Sequence, residues 1–122
     1  MRQHWINKFR NAARGIRWGT IGQSSFAVHL PMAGLVLVMA GLLRCSAWQF
    51  AVLGLCIGLV LSLELMNSAI ELLARGLCHE HNVDVGKALD IASGAVLLAS
   101  LVAALLGLSI LGYQAYQWLT PL

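Results

Sequence analysis

Charged residues are scarce in this chain of 122 residues, and their scarcity excludes an ordinary soluble globular protein. Only 11% of the residues are Asp, Glu, Lys or Arg, while 59% are apolar; a soluble domain carries about a quarter charged and about half apolar residues. Three stretches hold no charged residue: Trp18 to Leu43, Cys45 to Leu63 and Ile91 to Leu122. Each can supply the helix of about 20 residues that crosses the hydrocarbon core of a bilayer. The sequence therefore predicts an all-α membrane protein with three transmembrane helices.

The chain also lacks paired cysteines and an apolar leader segment. Its three cysteines lie at unrelated spacings, which indicates neither a disulfide framework nor a zinc site, and we interpret them as reduced structural thiols: Cys45, Cys56 and Cys78. The run CHEH, Cys78 to His81, has no second pair of ligands, so a solvated loop is favoured over zinc. The first residues, MRQHWINKFR, include no apolar h-region, so no secretory signal peptide is expected.

Acidic residues are absent from the first twenty positions, which are strongly basic. The cations are Arg2, Lys8, Arg10, Arg14 and Arg17, and the apolar residues at three- and four-residue spacing are Trp5, Ile6, Phe9, Ala13 and Ile16. This pattern predicts an amphipathic helix on an anionic leaflet; the alternative is a frayed positive tail that only sets the topology. The interleaved aromatic and aliphatic residues favour membrane lipids over nucleic acid as the partner.

The distribution of Lys and Arg predicts the topology, because positive charge is retained on the cytoplasmic side. The N-terminal segment is strongly positive, the first link between spans holds only Arg44, and the second link holds Arg75 and Lys87. We therefore expect the N-terminus and the second link in the cytoplasm. One domain over residues 1–122 is expected, with a surface helix at about 3–20 and transmembrane helices at about 26–44, 47–76 and 88–118. Small residues recur at helix-packing intervals in each span, which favours a homo-oligomer.

The few acids are gathered in one window, because all five lie between residues 64 and 90: Glu64, Glu71, Glu80, Asp84 and Asp90. In the octet ELMNSAIE, the helix period places Glu64, Asn67 and Glu71 on one face within about 60°. An ionisable group at the bilayer centre costs about 2.5 to 3.5 kcal/mol, and less near the interface. Two interpretations stay open. The carboxylates serve a divalent cation, a polyphosphate and a hydroxyl proton, or Glu64 and Asn67 hydrogen-bond across a helix interface and specify the oligomer.

Two longer runs carry a resemblance to a known family. LVLSLELMNSAIELL and KALDIASGAVLLA resemble the signature of the bacterial integral-membrane diacylglycerol kinase and undecaprenol kinase family, which is E-x-x-N-S/T-A-I-E followed by K-D-x-A/G-A/S-A/G-A-V-L. The distance from Glu64 to Asp90 agrees without a gap. Upstream, FRNAARGIR is similar to the family's F-R-x-A-x-x-G-I/L-K/R, and His29 with Leu30 matches its I-H-L. The resemblance covers about residues 8 to 110.

The resemblance implies a small homotrimeric kinase that transfers the ATP γ-phosphate to a lipid alcohol, diacylglycerol or undecaprenol. The reaction would take place at the cytoplasmic face of the bacterial inner membrane, with Mg²⁺ as cofactor. By position, Glu64 would be the general base, and Glu71 and Gln23 would stand at the metal positions. The nucleotide contacts would be Arg10, Asn11, Asn67, Glu71, Glu80, His81, Asn82, Lys87 and Asp90, and the lipid contacts Glu64, Arg17 and Ser93. No P-loop is present, and the family needs none.

The chain departs from the family pattern at metal and nucleotide positions. Gln23 replaces a carboxylate, which should lower metal affinity; Arg75 replaces an aspartate and Leu89 replaces the lysine before Asp90. Lys87 would lie on another helix face. The inner loop reads Cys-His-Glu-His-Asn where the family has Ser-Pro-Glu-Tyr-His.

Two functional interpretations follow from these departures. In the first, the chain is a divergent lipid kinase in which phosphate charge is met by other cations: Arg75, Lys87, Arg10, Arg14 or Arg17. In the second, it is a non-catalytic or altered-activity membrane scaffold or lipid-binding protein of the same fold. His29 and Pro31 are interpreted as a polar turn and a kink at the start of the first span rather than a proton relay.

Overall fold

Four helices make up the part of the chain that the structure describes. The computed structural model describes residues 1–21 and 24–120 of the chain. The helices are α1 (Arg2–Thr20), α2 (Ser24–Leu42), α3 (Ala47–Leu77) and α4 (Val83–Leu119). The last three contain segments long and apolar enough to cross a membrane: Ser25–Leu42, Ala47–Leu77 and Val83–Leu119. The expectation of an all-α membrane protein with three apolar helices is confirmed.

Side-chain caps set where α3 and α4 begin. Ser46 and Gln49 form a capping box, in which the Ser46 hydroxyl accepts from the Gln49 backbone N–H and the Gln49 side chain accepts from the Ser46 N–H. Asn82 caps α4, because its Oδ1 accepts from the backbone N–H groups of Asp84 and Val85. Asp84 also complements the positive end of the helix dipole. For these reasons α4 begins at Val83, five residues before the predicted start at about residue 88.

The end of α2 is a compact backbone cap. Arg44 has a positive φ of 56°, the left-handed conformation in which helices commonly end. The Arg44 N–H donates to the Gly41 carbonyl, and the Cys45 N–H donates to the Ala40 carbonyl. This pair of bonds is the Schellman motif, so α2 ends at Leu42, earlier than residue 44.

Helices α3 and α4 are longer than the hydrocarbon core of a bilayer is thick. At 1.5 Å per residue the 19 residues of α2 span about 28 Å, close to the hydrocarbon thickness of about 30 Å. The 31 residues of α3 and the 37 of α4 span about 46 Å and about 55 Å. Because the α2–α3 link fixes one end of α3 at one membrane face, its surplus length projects at the other face, where the α3–α4 link lies.

Helix α3 is the centre of the bundle. It contacts all three other helices, most extensively α4. Among the described residues, the buried apolar core is small and consists of Phe26, Ala40, Leu53, Val60 and Val96. At the junction of α1 and α3, Gly19 is buried against Leu65, and a Cβ at Gly19 would lie only 2.5 Å from the Leu65 Cδ2. The other large apolar side chains are mostly exposed, as expected of helices that face lipid.

Two side chains of α4 hold the α2–α3 link. The Gln114 Nε2 donates to the carbonyls of Leu43 and Arg44, at 3.1 and 3.3 Å. The Trp118 indole N–H donates to the Leu43 carbonyl at 2.9 Å, and the Arg44 guanidinium lies 5.6 Å from the centre of a Trp118 ring. The Gln49 side chain of α3 donates in turn to the Gln114 Oε1. These contacts satisfy carbonyls that the end of α2 leaves free.

Candidate functional site

One face of α3 carries the buried polar residues of the fold. Among the described residues, three polar or charged side chains are buried: Glu64 at 3% exposure, Asn67 at 8% and Ser68 at 3%. They share the helix face predicted from the spacing in ELMNSAIE, and Glu71, one turn further along, is half-buried. The exposure therefore rises along this face toward the projecting end of α3.

Glu64 has a partner on the neighbouring helix α2. The Glu64 Oε1 lies 3.1 Å from the His29 Nδ1, which is an ion-pair distance. The His29 Nδ1 is buried and makes no well-aligned hydrogen bond to any atom in residues 1–21 and 24–120. Sequence reasoning missed this pair, because it interpreted His29 only as part of a polar turn.

Asn67 and Glu71 form the second contact on this face. The Asn67 Nδ2 donates to the Glu71 Oε1 at 2.9 Å, across one helical turn. This bond orients the Glu71 carboxylate and leaves its second oxygen available. The Asn67 Oδ1 is buried, and within the described part of the chain nothing donates to it. A buried acceptor without a partner is rare, and on this face the described residues leave the hydrogen-bonding capacity of this oxygen unused.

A cavity of about 480 Å³ lies at the projecting end of α3. The end of α3, the α3–α4 link and the start of α4 form its walls, and its lining is Glu71, Ala74, Arg75, Cys78, Glu80, His81, Asn82, Val85, Gly86 and Leu89. Within the link, the Cys78 thiol donates to the Glu80 carbonyl at 3.0 Å. The cavity is open to water and combines carboxylate, guanidinium, imidazole and amide groups with apolar walls.

Four of the sequence-predicted nucleotide residues line this cavity: Glu71, Glu80, His81 and Asn82. Two positions that depart from the family pattern, Arg75 and Leu89, line it as well. The Asn82 Oδ1 already caps α4, so only the amide N–H groups of this side chain are free for a ligand.

The other predicted site residues lie elsewhere. Glu64 and Asn67 are buried on α3 below the cavity. On α4, Lys87, Asp90 and Ser93 are exposed and do not line the cavity. On α1, the exposed residues that do not line it are Arg10, Asn11 and Arg17. Gln23 lies outside the described residues.

The described residues suit a metal ion that arrives with phosphate. No three His, Cys, Asp or Glu residues within residues 1–21 and 24–120 are grouped closely enough to hold a metal by themselves. Mg²⁺ is usually bound by one or two carboxylates together with substrate phosphates and waters. Glu71 fits that role, since its carboxylate is oriented by Asn67 and opens into the cavity.

Comparisons with known proteins cover most of the chain. The profile of the prokaryotic diacylglycerol kinase family matches residues 10–111. A diacylglycerol kinase from Synechocystis sp. is 36% identical over 102 residues, which are 81% of this chain and 57% of that protein. An undecaprenol kinase from Bacillus subtilis is 33% identical over 107 residues, which are 87% of this chain and 86% of that protein. The chain thus spans little more than half of the Synechocystis protein. No solved structure matches it.

The matched residues include the buried polar face of α3, the cavity at its end and the first half of α4. The resemblance seen in ELMNSAIE and in the run that follows Lys87 is therefore confirmed by an independent comparison. The chain belongs to the prokaryotic diacylglycerol kinase family.

Proposed function

We propose that this protein is a lipid kinase that transfers the γ-phosphate of ATP to the hydroxyl of a lipid alcohol at the membrane interface. The observation that carries the proposal is the position of two carboxylates on one face of α3, one buried and one opening into an aqueous cavity. The names of the two relatives, a diacylglycerol kinase and an undecaprenol kinase, support a lipid alcohol as the acceptor.

The depth of the carboxylates along α3 supports this assignment. Glu64 comes 17 residues after Ala47, about 26 Å along the helix, which is just inside a hydrocarbon core of about 30 Å. Glu71 lies about 36 Å along the helix, beyond the hydrocarbon edge. A lipid hydroxyl and a water-soluble nucleotide can therefore approach the same helix face from opposite sides.

The chemistry assigns a different task to each end of this face. The Glu64 carboxylate accepts the proton of the lipid hydroxyl while that oxygen forms a bond to the γ-phosphorus. The bond from the γ-phosphorus to its bridging oxygen breaks, and the electron pair leaves with ADP. The products are the lipid phosphate, ADP and a protonated Glu64, which returns its proton to water. No covalent enzyme intermediate is required.

In this proposal, the nucleotide binds in the cavity at the end of α3. Bound Mg²⁺ would neutralise phosphate charge, and Glu71 is the residue that would hold it. Arg75 supplies a fixed positive charge in the same lining, and the exocyclic N–H groups of Asn82 supply donors. The phosphates must reach about 10 Å along α3, from the level of Glu71 to that of Glu64.

The membrane arrangement is part of the proposal. Because ATP is cytoplasmic, the projecting end of α3 faces the cytoplasm, and the topology predicted from Lys and Arg agrees. Helix α1, which has no acid and exposes Trp5, Phe9 and Ile16, then lies on the anionic inner leaflet of a bacterial inner membrane. A homotrimer would cover part of the apolar surface that one chain leaves exposed.

A side-by-side assay tests the proposal. Purified protein in mixed micelles is given radiolabelled ATP and Mg²⁺ with diacylglycerol or with undecaprenol, and the lipid product is quantified. Glu64→Gln keeps the shape of the side chain but removes the base, so the rate should fall about 10²- to 10⁴-fold. Lack of turnover with both alcohols would contradict the proposal and favour a non-catalytic lipid-binding protein of the same fold.

A further inference from the structure

The Glu64–His29 pair joins two transmembrane helices at the proposed reaction centre. Glu64 is 3% exposed, and its Oε1 lies 3.1 Å from the His29 Nδ1. His29 lies in α2, and the Nδ1 atom is itself buried. The Glu64 carboxylate and the buried His29 Nδ1 atom therefore compensate for each other's burial, because no other described side chain makes a hydrogen bond or an ion pair with either.

A carboxylate that acts as a base at this depth has two requirements. It must be able to accept a proton, and one of its oxygens must point at the substrate hydroxyl. A glutamate side chain has three rotatable bonds, so it can turn toward the aqueous cavity unless a neighbour holds it. An imidazole N–H donor on an adjacent helix meets the second requirement, as the carboxylate and imidazole of a catalytic triad do for each other.

We propose that His29 is a positioning residue for the Glu64 base, an inference that rests on the proposed kinase activity. The His29 Nδ1–H holds the Glu64 Oε1 and leaves Oε2 to accept the proton of the lipid hydroxyl. The pair also fixes α2 against α3 beside the site where the lipid binds. His29 itself neither contacts the phosphoryl group nor gains a proton from the substrate.

Three variants separate positioning from structure. His29→Asn keeps an N–H donor near the place of Nδ1, His29→Leu has a similar volume without a donor, and Val28→Leu changes a neighbouring side chain that is 61% exposed. The kcat and the KM for Mg-ATP are measured for each. His29→Leu should lower kcat about 10-fold or more, which is the size of effect seen at metal sites when a side chain that orients a ligand is removed. The KM for Mg-ATP should be unchanged. His29→Asn should recover most of the loss, and Val28→Leu should match the wild type.

These outcomes distinguish the inference from the proposed function. A wild type without turnover would remove the kinase activity and, with it, the role of Glu64 as a base. Turnover in the wild type together with an unchanged kcat in His29→Leu would overturn the His29 inference alone. Equal losses in His29→Asn and His29→Leu, accompanied by equal losses of folded protein, would also overturn it, because they would assign His29 a packing role.

A spectroscopic measurement tests the pair without turnover. Nitrogen NMR of protein labelled at histidine reports which ring nitrogen carries the proton of a neutral imidazole. In the wild type the His29 proton should be on Nδ1, and in Glu64→Leu the signal should move toward the Nε2–H form. His29→Asn identifies the signal among the four histidines. A His29 spectrum that does not respond to Glu64→Leu would overturn the pair itself.

Discussion

At the residue scale, Arg75 adds a positive charge to the cavity proposed to bind the nucleotide. The family pattern has an aspartate at this position, whereas here a guanidinium lines the cavity together with Glu71 and Glu80. An arginine can donate two parallel hydrogen bonds directly to a phosphate. An aspartate carries no donor when it is ionised, so it contacts a phosphate only through a bound metal ion. We interpret Arg75 as a direct phosphate contact that offsets the weaker metal binding expected from Gln23.

The contribution of Arg75 is open to a kinetic measurement. Arg75→Gln removes the charge and should raise the KM for Mg-ATP about 10- to 100-fold, because a hydrogen bond to a charged group is worth about 1.5 to 3 kcal/mol. Lys87→Gln removes a charge that lies outside the cavity lining and should raise this KM much less. Steady-state kinetics at fixed lipid concentration gives both values. A larger effect of Lys87→Gln would assign the phosphates to the opposite side of α4.

Some residues of the candidate site could be predicted from the sequence, and others could not. The period of 3.6 residues places Glu64, Asn67 and Glu71 on one face, and two of the three are buried there. The same reasoning could not find His29, because its contact with Glu64 depends on the rotation and depth of α2 relative to α3. The signal for Asn82 as a helix cap was present, since an asparagine before an apolar segment with Asp84 in the first turn is typical of a helix start.

At the scale of the elements, the apolar runs predicted the three spans well and their ends less well. The run of uncharged residues places the centre of each helix but does not show where the helix extends into water. Helix α4 continues through Asp84, Lys87 and Asp90 because those charges lie beyond the hydrocarbon edge. There, helix propensity and the Asn82 cap determine where the helix begins. The extension lines the cavity, so the part of α4 at the candidate site is the part that hydropathy does not indicate.

The contacts between α4 and the α2–α3 link predict a stability effect without an effect on the site. Gln114→Ala removes the donor to the Leu43 and Arg44 carbonyls and should destabilise the bundle by about 1 kcal/mol. Gln117→Ala is the matched control, because Gln117 is exposed on the same helix. Thermal unfolding in detergent should show a lower midpoint for Gln114→Ala alone. Equal midpoints for the two variants would contradict the role of Gln114.

Catalysis should be spared in the Gln114→Ala variant that remains folded. The link held by Gln114 lies at one membrane face, while Glu71 and the cavity lie at the other end of α3, about 36 Å from Ala47. A kcat per folded protein equal to that of the wild type is therefore expected. A lower kcat would indicate that the fixed link sets the position of α2, and with it His29, along the membrane normal.

At the scale of the whole molecule, the three cysteines lie at three different depths. Cys45 is in the α2–α3 link, Cys56 is in the first half of α3 and Cys78 is in the α3–α4 link, where it lines the cavity. Helix lengths place the two links at opposite faces of the membrane and Cys56 within the hydrocarbon core. The native thiols therefore report both the topology and the occupancy of the proposed nucleotide site.

Single-cysteine proteins test the topology and the site in one experiment. With a membrane-impermeant thiol reagent, Cys78 should react in inverted inner-membrane vesicles and not in spheroplasts, while Cys45 should react in spheroplasts only. The protein that retains Cys56 alone should react in neither, because lipid covers that depth. Mg-ATP should slow the reaction of Cys78 and leave that of Cys45 unchanged, since only Cys78 lines the cavity. Labelling of Cys78 from the outer side would contradict the topology, whereas inner-side labelling that Mg-ATP does not slow would place the nucleotide outside this cavity.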